Sequence, residues 1–135
     1  MTEYKSKNLT SKVADDLAKS WEAQLRKGSL ELAILASLWK GRQYGLEILR
    51  TLDGSGRLAL AEGTLYLILN RLKSDGIVKS EWVDAGTGHP RKYYWLTRSG
   101  IERLRAMVRF WTQFSADLEA LLEPVVRQKE DTRAI

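Results

Sequence analysis

AEGTLYLILNRLKSDG, residues 61–76, runs directly into IVKSEWVDAGTGHPRKYYWLT, residues 77–97. The first piece has apolar residues at helical spacing and stops at Gly76. The second is rich in Val, Trp and Tyr on either side of a Gly/Pro loop, which predicts two strands, near 77–83 and 91–96. A helix followed by a basic hairpin is the layout of a winged helix-turn-helix, in which one element fits a DNA major groove and the next reaches along the backbone. Nucleic-acid binding is therefore the leading functional expectation.

Within 61–74, projection places Leu65, Ile68, Leu69 and Leu72 on one face, directed at a core. The opposite surface carries Gly63, Leu67, Asn70, Arg71 and Ser74, flanked by Thr64 and Tyr66. Asn can pair two ways with adenine and Arg with guanine; hydroxyls suit phosphate, and Leu67 suits a thymine methyl. A solvated helix face with ordinary polar residues is the competing reading. At the hairpin tip stand His89, Arg91 and Lys92, two fixed charges and a titratable ring between pliable glycines and strands anchored by Trp82, Tyr94 and Leu96. The Gly-rich loop leads into a strand and not a helix N-terminus, which argues against a nucleotide-phosphate cradle.

Around this centre, the pattern predicts a mainly α fold. Residues 1–8 read as a polar tail. A helix capped by Thr10 or Ser11 carries Val13, Leu17, Trp21 and Leu25 on one stripe and ends at Gly28. LELAILASLW, residues 30–39, reads as a separate buried helix broken by Gly41, with Trp21 and Trp39 as core or helix-contact residues. Another helix is expected over 43–52, where Gly45 allows close approach to a neighbour. DGSG at 53–56 is a turn and 57–60 a short extended piece. A last helix, capped by Thr97 or Ser99 and ending near Pro124, carries a heptad seam of Ile101, Leu104, Val108, Trp111, Leu118 and Leu122. The resulting organisation is an N-terminal tail and accessory helix (1–27), a winged helix-turn-helix domain (28–97), a dimerisation helix (98–124) and a tail (125–135).

The chain has 135 residues, no cysteine and a formal net charge of +5. Its basic balance suits a polyanion, and lack of cysteine removes disulfides and thiolate zinc sites. No window is apolar enough to span a bilayer, and the start lacks a signal-type apolar core, so a soluble cytoplasmic protein is expected. His89 is the only histidine. Asp15, Asp16, Asp75 and Asp84 are scattered, so no catalytic site, metal or cofactor is expected.

Four segments taken in order, GSLELAILASL (28–38), QYGLEIL (43–49), EGTLYLILNRLKSDGIV (62–78) and HPRKYYWLTRSG (89–100), resemble the PadR family of bacterial transcriptional regulators. The resemblance implies a winged helix, a homodimer held by the C-terminal helix, and binding to a double-stranded operator, usually as a repressor. Some members bind planar aromatic compounds at the dimer interface. Thr64 and Tyr66 match the family's recognition helix; Arg91 and Lys92 match its basic wing; Tyr93, Leu96 and Thr97 match structural positions. Leu67 stands where the family commonly has Pro, Leu46 where it has Tyr, and His89 where Arg is frequent, which opens a pH-sensitive wing contact.

The seam of the last helix, with Leu17 and Trp21 of the first, would be costly to leave in water at roughly 1.5–3 kcal/mol per large side chain. A twofold dimer is expected, the first helix packing within or across subunits. Trp111 and Phe114 are candidates for lining an aromatic effector pocket, against plain interface packing. The alternative function is a winged-helix protein–protein adaptor that never touches DNA.

Overall fold

A computed structural model describes residues 2–84, Gly86 and 88–128. The expected tail beyond 128 lies outside the described residues. The element order is α1 (Thr2–Ser37), β1 (Gln43–Tyr44), α2 (Gly45–Gly54), α3 (Glu62–Ser74), β2 (Val78–Val83), β3 (Arg91–Leu96) and α4 (Arg98–Arg127). The strands form one antiparallel sheet in the order β1-β3-β2.

α1 corrects the reading of the N-terminal third. It is one helix of 36 residues, beginning at Thr2 where a polar tail was expected and passing through Thr10, Ser11 and Gly28 without a break. A glycine inside a helix costs only about 1 kcal/mol relative to alanine. The apolar run after Gly28, with Leu30, Ile34 and Leu35 buried, outweighs that cost. The expected boundary between residues 27 and 28 thus falls inside a helix. α1 ends because Gly41 turns the chain at φ +140°, a conformation that favours glycine.

Gln43 and Tyr44 are strand, not helix, paired with Tyr94 and Tyr93 of β3. The Tyr44 N–H donates to Glu47 Oε1 at 3.1 Å, and α2 starts one residue later. Residues 57–60, expected to be extended, form no strand and make a turn and loop into α3. Asp53 and Gly54, read as the start of that turn, close α2.

α3 matches its expected span within a residue. Ala61 gives it no side-chain cap, and Glu62 lies in the first turn, where a carboxylate faces the positive helix end. Gly76, at φ +74°, closes it. Thr97 then ties three pieces together. Its Oγ1 donates to the carbonyls of Gly76 (2.6 Å) and Ile77 (3.1 Å), and accepts the Gly100 N–H at 3.0 Å as the cap of α4. α4 runs past Pro124, three residues beyond the expected stop.

The core joins Ile34 and Leu35 of α1, Leu38 just after it, Ile48 and Leu52 of α2, Leu65, Leu69 and Leu72 of α3, Val78, Tyr94 and Leu104. Leu104, assigned to a dimer seam, is buried inside the chain's own core. Three tryptophans go the other way. Trp21, Trp39 and Trp82 are 60%, 53% and 66% exposed, so none is a core residue of the single chain and Trp82 does not anchor the hairpin.

Candidate nucleic-acid interface

The burial of Leu65, Leu69 and Leu72 fixes the rotation of α3 and turns Gly63, Thr64, Leu67 and Asn70 outward. Leu67 is 73% exposed in the middle of that surface. Tyr66 is half-buried. Its ring lies across Gly45, with Cζ 2.7 Å from where a Cβ on residue 45 would stand, so it seats α3 on the start of α2.

Arg71 goes elsewhere. Its Nη2 is 3.6 Å from Glu31 Oε1 on α1, and the same oxygen lies 3.2 Å from Arg103 Nη2 on α4. The guanidinium assigned to guanine is held in this arrangement toward α1 and α4, apart from the surface of Leu67 and Asn70.

The hairpin aims its cations by strand alternation. Val78, Ser80 and Trp82 share a face of β2 with Leu96, Tyr94 and Lys92, their partners on β3. The face is buried at Val78 and Tyr94 and exposed at Trp82. The hairpin therefore projects past the edge of the core, and Trp82 and Lys92 face across open space toward α3. Between them is a groove of about 470 Å³, lined by Tyr66 and Asn70 on one side and Trp82, Arg91, Lys92 and Tyr94 on the other. Lys92 Nζ is 5.8 Å from the centres of both the Trp82 and Tyr94 rings. Arg91 lies 4.5 Å over the ring of Tyr44, which lines the same groove. His89 and Pro90 are exposed, and Gly86 and Gly88 turn the tip at φ +82° and +75°.

Two groups in this region titrate abnormally. Burial, then the charge of Lys73 and hydrogen bonding with it, hold the Lys92 ammonium below its ordinary 10.5. Burial, then Tyr66, push the Tyr94 phenol above its ordinary 10.0. Lys73 was missed from the sequence, although it lies one turn beyond Asn70 on α3. A second basic surface was missed at the start of α2, a depression of about 460 Å³ lined in part by Lys40, Arg42 and Arg50. Arg42 is partly spent there, 4.0 Å over the Trp95 ring and 3.5 Å from Glu81.

The residues assigned to dimerisation stay uncovered apart from Leu104. Leu17, Trp21, Val108, Trp111, Leu118 and Leu122 are exposed, as is Phe114. Trp111 and Phe114 have ring centres 6.2 Å apart beside a cavity of about 540 Å³ between α1 and α4. Among the described residues, no group of three His, Cys, Asp or Glu could hold a metal ion, and no helix is long and apolar enough to cross a membrane.

An exposed helix face beside a cation-bearing hairpin, both mounted on a small helical core, defines a winged-helix DNA-binding protein. The profile of the Transcriptional regulator PadR-like family matches residues 34–106, more than half of the chain, and the chain belongs to that family. It is similar to a PadR family transcriptional regulator from Eggerthella lenta, at 33% identity and a TM-score of 0.73 over 82% of this chain and 96% of that one. A PadR-like transcription factor from Bacteroides fragilis is 37% identical, with a TM-score of 0.63 over 76% and 98% of the two chains. PadR of Bacillus subtilis, solved in complex with operator DNA, is 28% identical at a TM-score of 0.53, covering 58% of this chain and 46% of that one. An uncharacterized protein of Lysinibacillus sphaericus is 26% identical over 99 residues, 72% of this chain and 91% of its own length. Family membership makes this chain a transcriptional regulator and not an enzyme.

Proposed function

We propose that the protein is a cytoplasmic homodimeric repressor that occupies a palindromic operator, and that a small aromatic ligand releases it. The observation that carries the DNA-reading part is the convergence of Tyr66, Asn70, Trp82, Arg91 and Lys92 on one groove between α3 and the hairpin. In this reading Asn70, with Leu67 and Thr64, meets base edges and phosphates in the major groove, while His89, Arg91 and Lys92 follow the backbone. The Bacillus subtilis relative was solved with operator DNA, which supports DNA as the partner.

The dimer rests on exposed apolar surface. Val13, Leu17 and Trp21 of α1 are 56%, 67% and 60% exposed, so this apolar stripe lies largely open among the described residues. Phe110, Leu121, Val125 and Val126 add to the uncovered surface of α4. Such surface is worth roughly 1.5–3 kcal/mol per large side chain when buried. A second copy, crossing its α1 onto the partner's α4, covers both stripes with one twofold axis and sets two hairpins at a fixed separation. The cavity beside Met107, Phe110, Trp111 and Phe114 is where a flat aromatic effector would lie.

Sedimentation velocity at micromolar concentration tests the assembly. The expected result is a dimer that binds one palindromic duplex as two protomers. A monomer, alone and on DNA, would overturn it. Tryptophan fluorescence titrated with flat aromatic compounds tests the effector; an unchanged signal with all of them leaves the aromatic cluster as interface packing.

A further inference from the structure

Lys92 points from the inner face of β3 toward α3, where it lines the groove with Asn70. Lys73 lies three residues beyond Asn70, on the same side of the helix. Among the described residues, neither lysine has a carboxylate within ion-pair distance. Glu81 pairs with Arg42, and Glu31 with Arg71 and Arg103. One ammonium group on the Asn70 side of α3 and one across the groove on β3, neither of them ion-paired, repel one another unless an anion joins them.

We propose that Lys73 and Lys92 form a single phosphodiester site, in which one DNA phosphate bridges the recognition helix to the hairpin. The proposal rests on the DNA-binding reading above and adds to it a residue, Lys73, and a stoichiometry of one phosphate for two cations. Trp82, 66% exposed, forms the outer wall of the groove beside Lys92. Burial and the neighbouring charge of Lys73 hold the Lys92 ammonium below its ordinary range, as expected where two cations share a surface. A phosphate entering between the two ammonium groups cancels their repulsion and draws the hairpin toward α3. The groove then closes on the backbone only when DNA is present, so helix and hairpin bind as a unit.

The test uses a duplex selected by the full-length wild-type protein from a random library. Affinity is measured against salt for the wild type, Lys73→Gln, Lys92→Gln and the double variant, with melting temperature checked for each. Neutralising one phosphate contact lowers the log–log salt slope by about 0.9. The expected double variant loses about 0.9 per bound protomer, with each single variant losing less. A neutral methylphosphonate at one position per half-site should then remove the penalty of both substitutions. A double variant losing about 1.8 per protomer means two separate phosphates and overturns the proposal, as does an unchanged slope. Inorganic phosphate that stabilises the wild type but not Lys73→Gln, with duplex affinity unaltered by either substitution, assigns the site to a free anion and overturns it as well. If the wild type selects no duplex, the DNA-binding reading itself fails, which is distinguishable from every other outcome.

Discussion

The ring of Tyr66 fills the space that a side chain at Gly45 would occupy, its Cζ 2.7 Å from the position of a Cβ there. α3 is therefore seated on the first residue of α2 through a contact that only glycine permits. Gly45→Ala should destabilise the fold by about 1–3 kcal/mol, the usual cost of overpacking. In a Tyr66→Ala background, the same substitution should cost little. Urea unfolding of the four proteins gives the coupling; equal costs in both backgrounds would remove Tyr66 from this role.

Asn70 and Arg71 are neighbours in sequence with different neighbours in space. Asn70 lines the groove facing the hairpin, and Arg71 pairs with Glu31. Asn70→Ala should alter base preference at one operator position, by about 1–3 kcal/mol for the base that it reads. Arg71→Ala should leave base preference intact and change stability by no more than about 1 kcal/mol, as for other exposed ion pairs. Selection from a random duplex library with each variant separates the two, and a changed preference with Arg71→Ala would restore it as a reader.

Protonation of Lys92 links both stability and DNA affinity to alkaline pH. Lys73 on α3 faces it, Arg91 precedes it on β3, and the Tyr66 and Tyr94 phenols line the same groove. Its pKa is lowered in the folded chain, so between that value and the ordinary 10.5 the unfolded chain binds more protons. Stability of the free protein therefore gains a contribution as pH rises through that window, whereas below it the cost of the charged form is fully present. Duplex affinity should move the opposite way, falling as Lys92 deprotonates, and Lys92→Arg should abolish that fall. Titrations at constant ionic strength across the window check both signs.

Thr97 carries three hydrogen bonds that join the α3–β2 turn to α4. Thr97→Ala should cost about 0.5–2 kcal/mol as a lost N-cap, and Thr97→Ser should recover most of it. Thermal melts of both variants distinguish this from a simple loss of the methyl group, which both would share.

Much of this architecture is legible in residues 61–100. α3 has strong helical spacing and a glycine stop, and the hairpin has strand formers on both sides of a turn-rich loop. The errors have common physical origins. Gly28 and Pro124 are helix-breaking signals of modest strength, and long helices absorb them. Trp82 lies on the core-facing side of β2, as alternation requires, but beyond the point where the core ends. Leu104 belongs to the heptad pattern of α4, yet the first turns of that helix pack on the chain's own core. The ion pair of Arg71 with Glu31, by contrast, is a matter of tertiary placement on which its projection beside Asn70 is silent. Lys73 was within reach of the same projection, but its significance depends on where Lys92 lies.

The most direct test of the DNA-reading account is the affinity for a selected duplex and its scrambled counterpart, measured by fluorescence anisotropy from 50 to 200 mM salt (roughly the range over which counterion release is large). The account predicts preference for the selected duplex by a factor of at least about 10³, with affinity falling steeply as salt rises. Equal affinity for both duplexes, or binding indifferent to salt, would contradict it.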